Sequence, residues 1–177
     1  MEFDFSQNHF ELFGLPVDFD IDAGKLEAAW RELQSRFHPD RAASLGDAEK
    51  RLALQAATQV NEAWQTLKLP LARGRYILKL RGVDTQEETN TAMPVDFLMQ
   101  QMEWRETVSD ARSTGDVDGL EDLAAAIRKA AKSLEAELGA ALNQADNAAL
   151  AALTVRKLRF MEKLEQEISD AIGALLD

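Results

Sequence analysis

Apolar positions along this chain recur at three- and four-residue spacing, in segments punctuated by Gly, Pro and Asp, which is the period of helices and not of strands. The first segment is short. Phe10, Leu12, Phe13 and Leu15 run up to Gly14 and Pro16, which predicts one or two helical turns, with His9 at their start and no visible partner for it. Asp22 suits the N-cap of a second helix ending near Phe37, whose core arc holds Leu26, Ala29, Trp30, Leu33 and Phe37. Pro39 stops that helix, because it has no amide donor and its ring drives His38 out of the α region. Residues 41–47 read as a loop, with Ser44 and Gly46 against regular structure. From about Ala48 to Lys68 the period returns, with Ala53, Ala56, Val60, Ala63, Trp64 and Leu67 on one stripe. Two antiparallel helices joined by a rigid, polar His38-Pro39-Asp40 corner follow from this pattern alone.

Leu69-Pro70 closes the third helix, and a short further one from Leu71 to Arg81 ends at Gly82. Residues 83–93 are polar and predict a linker between domains. Beyond Pro94 three helices are expected: one to about Ser113, one capped by Asp116 or Asp118 through about Asn143, and one from about Asn147 onward. Leu120, Leu123, Ile127, Leu134, Leu138 and Ala141 form the stripe of the second, and Leu150, Leu153, Met161, Leu164, Ile168, Ile172 and Leu175 that of the third. The fold class is therefore all-α, with one domain over residues 1–82, a linker over 83–93 and a three-helix bundle over 94–177.

The helix after Pro94 departs from a single stripe. Phe97, Trp104, Val108 and Ala111 share an arc of roughly 60° suited to a core. Leu98, Met99, Met102, Glu103, Glu106 and Asp110 share another of roughly 140°, centred well away from it. Two readings are open: an interaction patch with adaptable Met side chains, or apolar residues that flank the core beside solvated acids. Burying three such side chains in a partner is worth roughly 5 to 9 kcal/mol before association costs, enough for a modest-affinity complex.

Composition narrows the chemistry. Hydrophobic residues make up 46% of the chain, ample for a core. The absence of Cys excludes disulfides, thiolate nucleophiles and Cys-held clusters, and two His are too few for a histidine metal site, so no metal or cofactor is expected. With 20 basic and 31 acidic side chains the net charge of −11 opposes nucleic acid and anionic membranes. The amino terminus carries no signal or transit pattern and no apolar run is long enough to span a bilayer, so the expected location is cytoplasmic.

Arg36-Phe37-His38-Pro39-Asp40-Arg41 at the end of the second helix, with Asn61-Glu62-Ala63-Trp64-Gln65-Thr66-Leu67 in the third, resembles a J-domain. The resemblance implies that His38, Pro39 and Asp40, with Arg31 on the outer helix face, contact a DnaK-type chaperone ATPase of the seventy-kilodalton heat-shock class and stimulate it. Glu27 and Glu32 stand where many J-domains carry more Lys and Arg. Leu71-Ala72-Arg73-Gly74-Arg75-Tyr76, Phe97-Leu98-Met99-Gln100-Gln101-Met102-Glu103 and Val155-Arg156-Lys157-Leu158-Arg159-Phe160 extend the likeness to the HscB family over nearly the whole chain. That family comprises J-domain co-chaperones of iron–sulfur cluster biogenesis, in a form expected to be bacterial here. The resemblance implies a J-domain followed by a three-helix bundle that binds an IscU-type scaffold and delivers it to an HscA-type chaperone. It assigns scaffold binding to Leu98, Met99, Met102, Glu103, Glu106, Asp110 and Phe160. Trp104 stands where a smaller apolar residue is expected, but on the core face.

The expected function is thus a non-enzymatic adaptor with two binding sites. A general J-domain co-chaperone for unfolded proteins is the alternative, although the chain has no Gly/Phe-rich linker and no Cys-bearing client domain. An enzyme would have to use His38 and Asp40 as acid and base or as metal ligands, and would need a substrate pocket and further groups besides.

Overall fold

The computed structural model describes residues 2–177, and among these every regular element is a helix. There are eight: α1 (His9–Leu12), α2 (Ala23–Arg36), α3 (Pro39–Ala42), α4 (Asp47–Lys68), α5 (Pro70–Leu80), α6 (Val95–Thr114), α7 (Val117–Leu142) and α8 (Ala148–Leu176). The chain divides into two compact units, residues 1–80 and 81–177, so the polar segment 83–93 lies with the second.

In the first unit, α2 and α4 form the expected antiparallel pair, and α1 and α5 pack on α4. Asp22 caps α2, its Oδ1 accepting from the Lys25 amide at 3.1 Å. Ala53, Ala56, Val60, Ala63 and Leu67 of α4 are buried, as are Leu26, Phe37 and Phe10. Trp30 and Trp64 stack at 4.5 Å between ring centroids, and the Trp30 indole donates to Asn61 Oδ1 at 3.3 Å. Arg73 of α5 donates to the carbonyls of Phe19 and Leu67, which ties α5 to the loop between α1 and α2 and to the end of α4.

Two expectations are corrected. Arg41 and Ala42, the first residues of the stretch read as a loop, instead complete α3, a single helical turn from Pro39 that buries Ala42, because a proline is tolerated at the first helical position, where its missing amide would be unpaired anyway. His9 is not partnerless. Its ring stacks on Tyr76 at 4.3 Å and its amide donates to the Tyr76 hydroxyl at 3.0 Å, pinning α1 to α5.

In the second unit α7 and α8 make the most extensive pairing, and α6 lies against both. The whole predicted α7 stripe is buried. On α8 the buried face runs through Ala151, Val155, Leu158, Met161, Leu164, Ile168 and Ala171, whereas Leu150 and Leu175, both expected in the core, are exposed in its first and last turns. A helical count assigns a face but not how far the neighbouring helices cover it. Gly115 ends α6 in the left-handed region at φ 69°, and Asp116 then caps α7 through the Gly119 amide at 2.9 Å. A Cβ at Gly119 would collide with that carboxylate. Segment 83–93 is ordered on α8: Arg156 donates to the Thr85 carbonyl at 3.1 Å, and Lys163 lies 3.8 Å from the Glu88 carboxylate.

Burial holds the His9 imidazole below its ordinary value of 6.5, Glu62 opposing and Lys79 reinforcing that shift. The folded state therefore binds this proton more weakly than the unfolded chain, and stability is lost as pH falls through 6.5 toward the lower folded value. The melting temperature is expected to drop on acidification from about pH 8 to about pH 5, and to drop less in His9→Phe, which keeps the stack and removes the titration; equal slopes in thermal melts of the two proteins would refute this.

Candidate functional site

The His-Pro-Asp corner is strung between two buried anchors. Phe37 is 1% exposed, with Phe3 edge-on to its ring at 5.2 Å, and Ala42 is 3% exposed. Between them His38, Pro39 and Asp40 all face solvent, the His38 and Asp40 side chains at 53% and 93% exposure. His38 is itself the N-cap of α3, its Nδ1 accepting from the Asp40 amide at 3.2 Å. A nitrogen that accepts carries no proton, so the neutral ring presents Nε2–H outward as a donor. The Asp40 carboxylate lies 3.6 Å from the same Nδ1. Arg31 projects from the outer face of α2, largely exposed and ion-paired to Glu27 at 2.7 Å. That pair contributes at most about 0.5 kcal/mol, so a stronger carboxylate can take the guanidinium over.

On α6 the structure shows how far each apolar face is covered. Val108 and Ala111 are buried and Trp104 and Phe97 half-buried, so the core arc is as expected. Leu98, Met99 and Met102 are exposed at 40%, 66% and 70%, and Val95 in the first turn is exposed beside them. Glu103, Glu106 and Asp110 are exposed on the same side. Phe160 of α8 is half-buried in an aromatic cluster, 5.9 Å from Phe97 and 6.5 Å from Trp104 between ring centroids. Two cations cover the cluster, Arg105 over Phe160 at 5.3 Å and Lys157 over Phe97 at 5.3 Å.

Within the first unit the structure brings His38, Pro39 and Asp40 together at one corner, with Arg31 two turns back along α2; within the second it gathers Leu98, Met99, Met102, Glu103, Glu106 and Asp110 on one face of α6. Sequence reasoning passed over Arg105 and Lys157, whose positions over the aromatic rings depend on the packing of α6 against α8. The helical count that separated the two faces of α6 holds the signal for Arg105, which falls beside Leu98 on it.

The model of the HSCB C-terminal oligomerisation domain family matches residues 93–169, which takes in all of α6 and α7 and most of α8. The co-chaperone protein HscB homolog of Chromobacterium violaceum is 59% identical over the full length of both chains. The chain belongs to the HscB co-chaperone family. Solved HscB structures agree in fold: that from Vibrio cholerae has a TM-score of 0.82 at 36% identity, covering 96% of this chain and 99% of its own, and the human co-chaperone HscB has a TM-score of 0.86 at 29% identity, covering 94% of this chain and 82% of its own. Family membership covers both units, so the corner and the α6 face belong to one co-chaperone. Among the described residues no helix is long and apolar enough to cross a membrane.

The exposure of Leu98 and Met102 has a direct thermodynamic consequence. The double variant Leu98→Ala with Met102→Ala is expected to melt within a few degrees of the parent, because truncating exposed side chains changes stability by about 0.5 kcal/mol or less each. Leu138→Ala, at a buried α7 position, is expected to lose about 2 to 5 kcal/mol in the same denaturation experiment. A comparable loss in the double variant would return those residues to the core.

Proposed function

We propose that this chain is a non-enzymatic adaptor of iron–sulfur cluster assembly in the bacterial cytoplasm, which binds an IscU-type scaffold through the α6 face and delivers it to an HscA-type chaperone. The observation that carries the reading is the exposure of Leu98, Met99 and Met102 beside three carboxylates, in a helix whose other apolar face is already used for packing. An apolar trio held out by the fold needs a protein partner to cover it. Phe160, half-buried against Phe97 and Trp104, is the member of the proposed scaffold contact that comes from α8.

His38, Pro39 and Asp40 act as the chaperone contact, with Arg31 as a further cation on the α2 face. The Nε2–H of His38 and the free carboxylate of Asp40 offer a partner one donor and one acceptor on a corner whose backbone is fixed by Phe37 and Ala42. Tethering the scaffold raises its effective concentration at the chaperone and couples its capture to ATP hydrolysis. Any cluster is ligated by the scaffold, because this chain has no thiolate. The carboxylate and imidazole of the corner stand in solvent, an arrangement suited to contact and not to acid–base chemistry, which needs an enclosed substrate.

Steady-state ATP turnover by the chaperone, with and without scaffold, is the test. His38→Gln is expected to abolish stimulation while circular dichroism and scaffold affinity stay unchanged; full stimulation by the folded variant would remove the corner from the mechanism. A general co-chaperone would instead bind denatured proteins as well as it binds the scaffold.

A further inference from the structure

The acids of α6 are only one of two charged rows. Counted at about 100° per residue, Met99, Glu103, Glu106 and Asp110 form one stripe, and Leu98, Met102, Arg105, Ser109 and Arg112 form the adjacent one. Both stripes begin apolar near the start of the helix and become charged toward its end, with opposite signs. The basic stripe faces α8. There Arg105, Ser109 and Arg112 line a groove of about 520 Å³ floored by Val108, with Glu167 of α8 on its far wall. Arg105 spans the groove to Glu167 at 3.1 Å, both side chains about half exposed, while Arg112 is exposed and, among the described residues, has no carboxylate within ion-pairing distance.

This cationic groove is set in an acidic body. Residues 81–177 hold 10 basic and 19 acidic side chains, a net charge of −9, so two guanidinium groups in one groove stand against the local field. On the same stripe of α6, the exposed Met102 and Leu98 lie about one and two helical turns before Arg105.

We propose that the scaffold-docking face extends past Met102 into the α6–α8 groove, where Arg105 and Arg112 receive carboxylates of the docked scaffold. The inference rests on the α6 face being the scaffold site. Planar guanidinium groups bind carboxylates in a fixed, two-pronged geometry. A partner seated on the apolar half of α6 thus meets an acidic row on one flank and a basic row on the other, and only one orientation satisfies both. The two rows set the direction of docking, and the apolar trio supplies most of its affinity. The exposed Arg105–Glu167 pair is weak enough to exchange for an incoming carboxylate.

The test is titration of the full chain with the IscU-type scaffold at low and high salt, followed by association and dissociation rates. Arg112→Ala is expected to weaken binding about 2- to 5-fold at low salt, and Arg112→Glu about tenfold or more. Both losses should lie mainly in the association rate and shrink as salt screens the groove. Lys132→Ala, on the exposed side of α7, removes one positive charge elsewhere and should leave binding unchanged. Parent-like binding by both Arg112 variants, with binding lost in Leu98→Ala/Met102→Ala, overturns the groove and leaves the α6 docking face standing. Equal loss in Lys132→Ala overturns it too, since bulk charge then accounts for the effect. Parent-like binding by Leu98→Ala/Met102→Ala removes the docking face itself.

Discussion

The rotation of α6 about its own axis decides what the second unit offers to the outside. Phe97 and Trp104 close on Phe160 of α8, and Val108 and Ala111 are buried one to two turns further on. With those four residues turned inward, Leu98, Met99 and Met102 have no route to the core, whatever their hydrophobicity. Their exposure is therefore the remainder of a packing solution that consumes one face of an amphipathic helix with two. The same rotation sets Arg105 over Phe160 and turns Glu103, Glu106 and Asp110 to the far side.

The first unit uses a different device for the same end. A short polar segment is kept rigid in solvent by burying the residues on either side of it, Phe37 before and Ala42 after. Pro39 fixes one backbone angle, and the His38 ring caps the turn that follows. Rigidity at an exposed corner lowers the entropy lost on binding, which allows so few side chains to make a specific contact.

Much of this was legible in the residues. The 3.6 period located seven of the eight helices and separated the two faces of α6, because burial at three- and four-residue spacing is a local property of a helix. What escaped depends on contacts across the chain or at its helix ends. α3 was hidden because Pro39 reads equally as the end of one helix and the first residue of the next. The stack of His9 on Tyr76 joins residues far apart in sequence, and no local pattern announces it. Leu150 and Leu175 obey the α8 period but lie in its terminal turns. Arg105 and Arg112 line a groove only because α8 packs beside them, which no local pattern conveys.

The ordered segment ahead of α6 bears on where this protein can be divided. The match to the C-terminal domain model begins at residue 93, yet the carbonyl of Thr85 accepts from Arg156 and Glu88 lies beside Lys163. A fragment excised at residue 93 would strip α8 of both partners and leave the Arg156 guanidinium to find another acceptor. The natural cut lies at Arg81, whose guanidinium also donates to the Leu142 carbonyl at the end of α7. The stretch between the two helical units is thus less a tether than the outermost layer of the second.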